Sequence, residues 1–192
     1  MTAYLLAGPA IEPVTLAEAK AFLRVDETAE DGLITTLIAA ARLHIEGTTA
    51  RALIAQSWRL VLDCWPMDRV VPLPVGPVMS LTAITAYDDE GDPHDIALAQ
   101  FLAETDVAPA RLMLPRTVEG MPALRERQGI EIDYAAGYGT DREDVPVDLR
   151  QALLVLCAYW YEHRDAVIMA GSGSVVPAGF DRMVAPYKRV RL

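Results

Sequence analysis

The sequence predicts an α+β protein: an N-terminal helical hairpin and a C-terminal long helix packed as a helical framework, with an inserted small antiparallel β meander. Three observations carry this prediction. Apolar residues recur at steps of four, three and four over 34–45, the period changes to two from Ser57, and helical spacing returns after Pro146. The divisions are an N-terminal helical part over 1–56, a β-rich insert over 57–137, a helix completing the framework over 138–170, and a flexible linker with a basic tail over 171–192. With 192 residues, 52% of them apolar, the chain has enough material for a real core.

Each element has a local reason. In "VTLAEAKAFLRVD", Thr15 stands three residues before Glu18, the spacing of a capping box, and a helix is expected over about 16–24. In "TAEDGLITTLIAAARLHIEG", Thr28 and Asp31 suit a first turn, while Ile34, Ile38, Ala41 and Ile45 form one buried stripe. "SWRLVLDCW" sets Trp58, Leu60, Leu62 and Cys64 against Arg59, Val61 and Asp63, the alternation of a strand with one face inside. "SLTAITAYDDEGDPHDI" reads as a strand, an acidic turn around Gly91 and a return, and "ARLMLP" and "GIEIDYAAGYG" as further short strands. Pro146 fits the first turn of the last long helix, Asp144 and Asp148 its positive end, and the helix is expected to reach Arg164. "AGSGSVVPAG" has linker composition, and "FDRMVAPYKRVRL" suits a brief helical turn before a free end.

Composition excludes several function classes. A formal charge of −10 opposes non-specific binding to DNA or to anionic membrane, because such binding needs a basic face. No stretch approaches the roughly 18 apolar residues of a membrane span, and "MTAYLLAGPAIEP" lacks the basic start of a signal peptide, so a cytoplasmic protein is expected. Cys64 and Cys157, in apolar surroundings, are expected to be buried thiols.

No enzyme signal emerges. Glu162, His163, Arg164 and Asp165 occupy one helical turn and point in different directions, so they cannot converge on a substrate atom. His44 and His94 belong to other zones, "GSGSVV" lacks the lysine of a phosphate loop, and "DDEGD" lacks the ligand pattern of a calcium loop. Ser57, Ser80, Ser172 and Ser174 lack a nucleophile-elbow context. No catalytic, metal or cofactor site is expected.

Surface chemistry points to contacts instead. Leu149, Leu153, Leu156 and Trp160 make one stripe, with Leu154 and Tyr161 on another side. At about 100° per residue, Tyr159, Trp160 and Tyr161 sweep too wide an arc to enter one core. At least one of these rings is therefore expected to face another chain or an adjoining domain, with Tyr159, Trp160, Tyr161 and Leu154 as the candidate contact residues. In the tail, Tyr187, Val190 and Leu192 stand among the cations Lys188, Arg189 and Arg191, which suits either a frayed, soluble terminus or an extended segment added to an acidic groove.

The order of "EPVTLAEAKAFLRVD", "LITTLIAAARLHIEGTTARALIAQSWRLVLDCWP", "IEIDYAAGYG", "VPVDLRQALLVLCAYWYEHRDAV" and "MVAPYKRVRL" resembles the head-tail connector, or adaptor, proteins of long-tailed phages and gene transfer agents. The resemblance spans nearly the whole chain and is weakest over 90–128. It implies a virion structural protein at the neck, forming a closed ring of about twelve copies beneath the portal, with DNA passing through the lumen without specific binding. The implied partners are further copies of the chain, the portal protein, which the C-terminal tail is expected to engage, and a tail or head-completion protein. A tail-completion or tail-terminator ring is the alternative, and a small-molecule hydrolase the poorer one.

Overall fold

Thr15 starts the first helix. Its hydroxyl accepts from the Glu18 amide at 3.0 Å, and the Glu18 carboxylate accepts from the Thr15 amide at 2.7 Å, closing the capping box. The structure, a computed structural model, describes residues 1–163, 176–177 and 179–188. Helix α1 (Leu16–Leu23) stops where Arg24 enters the left-handed region at φ 58°. Helix α2 (Asp31–Thr49) is tied to α1 by Lys20 Nζ, 2.6 Å from the Asp31 carboxylate, and ends at Ala50, again left-handed at φ 54°. It buries Ile34, Ile38, Ala41 and Ile45, the stripe read from the sequence.

Helix α3 (Val147–Glu162) follows Pro146 and buries Leu149, Ala152, Leu153, Leu156, Cys157 and Trp160. It packs against α1, α2 and a short helix α4 (Phe180–Val184), which continues into a 3-10 turn at Ala185–Tyr187. Together with residues 11–15, these helices make one compact unit, Ile11–Ile54 with Gly139–Leu192. Three ion pairs brace it: Arg42, itself buried, pairs with Glu12 at 2.8 Å and Glu46 at 2.9 Å, and Arg150 pairs with Glu18 at 2.7 Å nearer the surface. Burial drives the Cys157 thiol up to about 11, which keeps it protonated and inert.

The second unit, Met1–Ala10 with Ala55–Tyr138, is all β. Its main sheet runs in the order β1 (Thr2–Ala7), β2 (Gln56–Leu62), β8 (Ile130–Ala136), β4 (Val78–Tyr87), β5 (Pro93–Asp95), every pairing antiparallel. A smaller sheet orders β3 (Val70–Pro72), β7 (Arg111–Met113) and β6 (Leu102–Glu104). The inward row of the main sheet is Leu60, Leu62, Ile84, Ala86, Ile130, Ile132, Tyr134 and Ala136. On the opposite face Arg59 forks onto Asp133 at 2.6 and 2.7 Å and reaches Glu131 at 2.7 Å, while Tyr87 donates to Glu131 at 3.0 Å. At the start of β8, only a glycine fits at 129: a Cβ there would lie 2.8 Å from the Asp63 carbonyl oxygen.

Three features differ from the sequence reading. Residues 2–7 were placed with the helical part over 1–56, whereas they form β1 and pair with β2. Six residues with no alternation and no charge carry no period-two signal, and only the partner strand selects the extended form. The strands are antiparallel but their neighbours are not sequential, since β8 lies between β2 and β4. Cys64 is exposed, because β2 ends at Leu62 and the following turn leaves the core.

The capping box makes a testable statement. The hydrogen bond from the Thr15 backbone, followed by the Thr15 hydroxyl and Arg150, holds the Glu18 carboxyl below its usual range. A depressed acid contributes stability above its ordinary range and loses it as pH falls through the lowered value. Glu18→Ala should therefore cost about 1 kcal/mol at neutral pH, and the difference from wild type should shrink in acid, read from urea unfolding followed by far-ultraviolet circular dichroism at both pH values.

Candidate functional site

The three consecutive rings near the end of α3 have separate fates. Trp160 is 7% exposed and packs edge-on against His44 of α2, ring centroids 5.7 Å apart. Phe180 of α4 closes on the other side of His44 at 5.6 Å, so a ring cluster ties α4 to α2 and α3. Burial between these rings lowers the His44 pKa, an effect that Asp181 opposes. Tyr159 is half-buried and stacks on His163 at 4.4 Å; Tyr161 is half-buried with its hydroxyl hydrogen-bonded to Glu30, and Leu154 is half-buried. The arc argument is thus met within one helix, by one ring inside and two at the surface. Trp160 is corrected from an expected interface residue to a core residue of its own unit, because α2 and α4 already cover it.

The C-terminal segment is anchored before it ends. The Tyr187 hydroxyl lies 2.7 and 2.8 Å from the two Asp148 carboxylate oxygens. Its carbonyl accepts from Arg51 Nε at 3.1 Å, and the same guanidinium lies 5.7 Å from the Tyr187 ring centre. Lys188 pairs with Asp181 at 2.7 Å. Tyr187 and Lys188, read from the sequence as tail residues for a partner, are engaged by their own helical unit. Arg189, Val190, Arg191 and Leu192, with Arg164, Asp165 and the linker glycines Gly171 and Gly173, lie outside the described residues. Arg51 was missed because it acts 136 positions away in sequence, and Asp148 was read only as a helix-start acid. No local signal joins them.

The titratable groups near these surfaces are engaged locally. Glu162 and His163 are exposed, and the His163 ring is occupied by the Tyr159 ring and carbonyl. His94 pairs with Asp88 at a hairpin in the other unit. Among the described residues, no three His, Cys, Asp or Glu side chains gather where a metal could sit, and no helix is long and apolar enough to cross a membrane.

Comparison with known proteins gives this geometry a context. Residues 13–90 match the model of the phage gp6-like head-tail connector proteins. Over 100% of this chain and 97% of the other, the fold superimposes on a protein in the neck of an empty gene transfer agent particle computed with C6 symmetry, at 29% identity and a TM-score of 0.81. The chain is thus similar to the head-tail connector family over residues 13–90, and to gene transfer agent neck proteins over its whole length. A chain in the virion of a native gene transfer agent matches at 28% identity and TM-score 0.81, and one in a native neck computed with C12 symmetry at 28% and 0.73, each with the same coverage. No curated protein sequence matches this connector. The family and these neighbours are structural neck components and not enzymes.

The division among the rings is measurable. Trp160→Ala should destabilise the connector by about 3–5 kcal/mol through the cavity left beside His44 and Phe180, whereas Tyr159→Ala should cost about 1 kcal/mol or less. Chemical denaturation of the two variants would compare them directly; equal losses would mean that Tyr159 is as much a core residue as Trp160.

Proposed function

We propose that this chain is a structural connector in the neck of a phage or phage-like particle, its copies closing into a ring of about twelve between portal and tail and leaving a lumen through which DNA passes. The observation that carries the reading is the likeness over the whole chain to proteins of gene transfer agent necks, with the connector family model on α1, α2 and the first strands of the insert. A neck role asks the chain for contact surfaces and not for a catalytic centre.

The charge supports the conduit. A chain with formal charge −10 repels phosphate, so duplex passes without being held by counterion release. The tail supports portal docking in a narrower form than its sequence suggested. With Tyr187 pinned by Asp148 and Arg51, and Lys188 by Asp181, the segment that reaches the portal is Arg189, Val190, Arg191 and Leu192, and Tyr187 and Lys188 set where it leaves the helical unit. Tyr159, Tyr161 and Leu154 supply surface for neighbouring copies.

Three measurements test the reading. Immunogold electron microscopy with an epitope-tagged chain should label the head-tail junction of assembled particles; label at the distal tail or on free tail tubes would replace the connector by a tail-completion or tail-terminator ring. A chain ending at Lys188 should keep its fold and lose portal co-sedimentation about tenfold or more. Undiminished co-sedimentation would remove the tail from the docking surface. Gel retardation of duplex DNA at low salt should show no shift at micromolar protein.

A further inference from the structure

Helix α2 carries two stripes. One is the buried row Ile34, Ile38, Ala41 and Ile45. The other is Leu33, Thr36, Ala40, Leu43 and Gly47, spaced three, four, three and four, which is the spacing of a coiled-coil seam. No member of this second row is charged. Leu33 is 37% exposed and Leu43 59%, Thr36 and Gly47 are exposed and Ala40 is half-buried, so the row is turned away from the core of its own unit.

Gly47 adds an independent observation. It sits inside a helix, where glycine is unfavourable relative to alanine, yet a Cβ placed on it would meet nothing within 4 Å. Its own fold gives no reason for a missing side chain. A backbone approaching from outside the chain does.

Helix α3 has a matching outward row: Val147, Gln151, Leu154, Ala158 and Tyr161, spaced four, three, four and three, again uncharged. Val147 is 80% exposed and Gln151 exposed, with the other three half-buried. The row lies opposite Leu149, Leu153, Leu156 and Trp160, which face the core. Both outward rows span 15 residues, about 21 Å of helix. They belong to one chain and both turn outward, so neither covers the other within a single copy.

We propose that the outward row of α2 in one connector packs into the outward row of α3 in the next, a helix-to-helix seam that joins copies head to tail. The occupant is a second copy of this chain for three reasons. Two different faces of equal length and heptad-like spacing make a heterologous interface, the kind that repeats around an axis. The necks in which the similar proteins sit were computed with cyclic symmetry. Between chains that each carry −10, a contact row free of charge is where like-charged copies approach with least desolvation and repulsion. The proposal rests on the connector reading and specifies which faces build the ring.

Ala40 and Leu154 are the central members of the two rows, so they face one another whether the helices run parallel or antiparallel. In a Cys64→Ser background, which removes the exposed native thiol and leaves buried Cys157, the double variant Ala40→Cys with Leu154→Cys is made the only copy in particle-producing cells and treated with a short bismaleimide. A ladder of cross-linked multimers is expected from the double variant, and none from either single variant. Adding Leu43→Glu, at an exposed position that the isolated fold tolerates, should weaken the ladder about tenfold or more. Gly47→Ala should raise the melting temperature of the free protein while thinning the ladder. Absence of the ladder in particles whose necks carry the chain by immunogold overturns the seam and leaves the connector role intact. A ladder formed by a chain that never labels the neck keeps the seam and overturns the connector role.

Discussion

The helical unit is closed by helices from the two ends of the sequence, and that constraint governs the rest of the chain. The apolar row of α2 packs against α3, which is made only after the whole segment Ala55–Tyr138 has been traversed. An insert of that length is tolerable only if it returns to where it left. The β unit does so by pairing its entry strand with its exit strand: β2 and β8 are antiparallel neighbours whose register opens on Gln56 opposite Ala136. The placement of β8 between β2 and β4, foreign to a simple meander, follows from this need to bring the two ends of the excursion together.

The same pairing explains the charges on the sheet's open face. Arg59 on β2 stands across from Asp133 on β8 and diagonally from Glu131, and one guanidinium satisfies both acids while Tyr87 on β4 donates to the second. Cross-strand pairs of this kind contribute only modest energy each. Their larger effect is on register, because a slip by one residue would turn Arg59 inward and strand two carboxylates.

Legibility in the sequence followed the range of the forces involved. Thr15 with Glu18, and Ile34 with Ile38, Ala41 and Ile45, act within a few residues, and α1, α2 and α3 were read to within about two residues at each end. Leu60, Ile132 and Ile84 advertise their strands through alternation. β1 does not, since "TAYLLA" is extended only because β2 offers it a ladder. The candidate contacts divide in the same way. Tyr159, Trp160 and Tyr161 were visible as a group, but which ring goes inside depends on His44 and Phe180, set by packing across more than 100 residues of sequence to His44. Tyr187 was visible as a tail aromatic, while the Asp148 and Arg51 groups that hold it are long-range.

The interior ring cluster and the tail anchor have a joint consequence for a connector. Phe180 fixes the start of α4 against His44, and Tyr187 fixes its exit against α2's following residue Arg51 and the first turn of α3. A segment pinned at both ends to the two helices whose outer rows would meet neighbouring copies cannot wander independently of those helices. The last described residues, Tyr187 and Lys188, are therefore held in a fixed relation to α2 and α3.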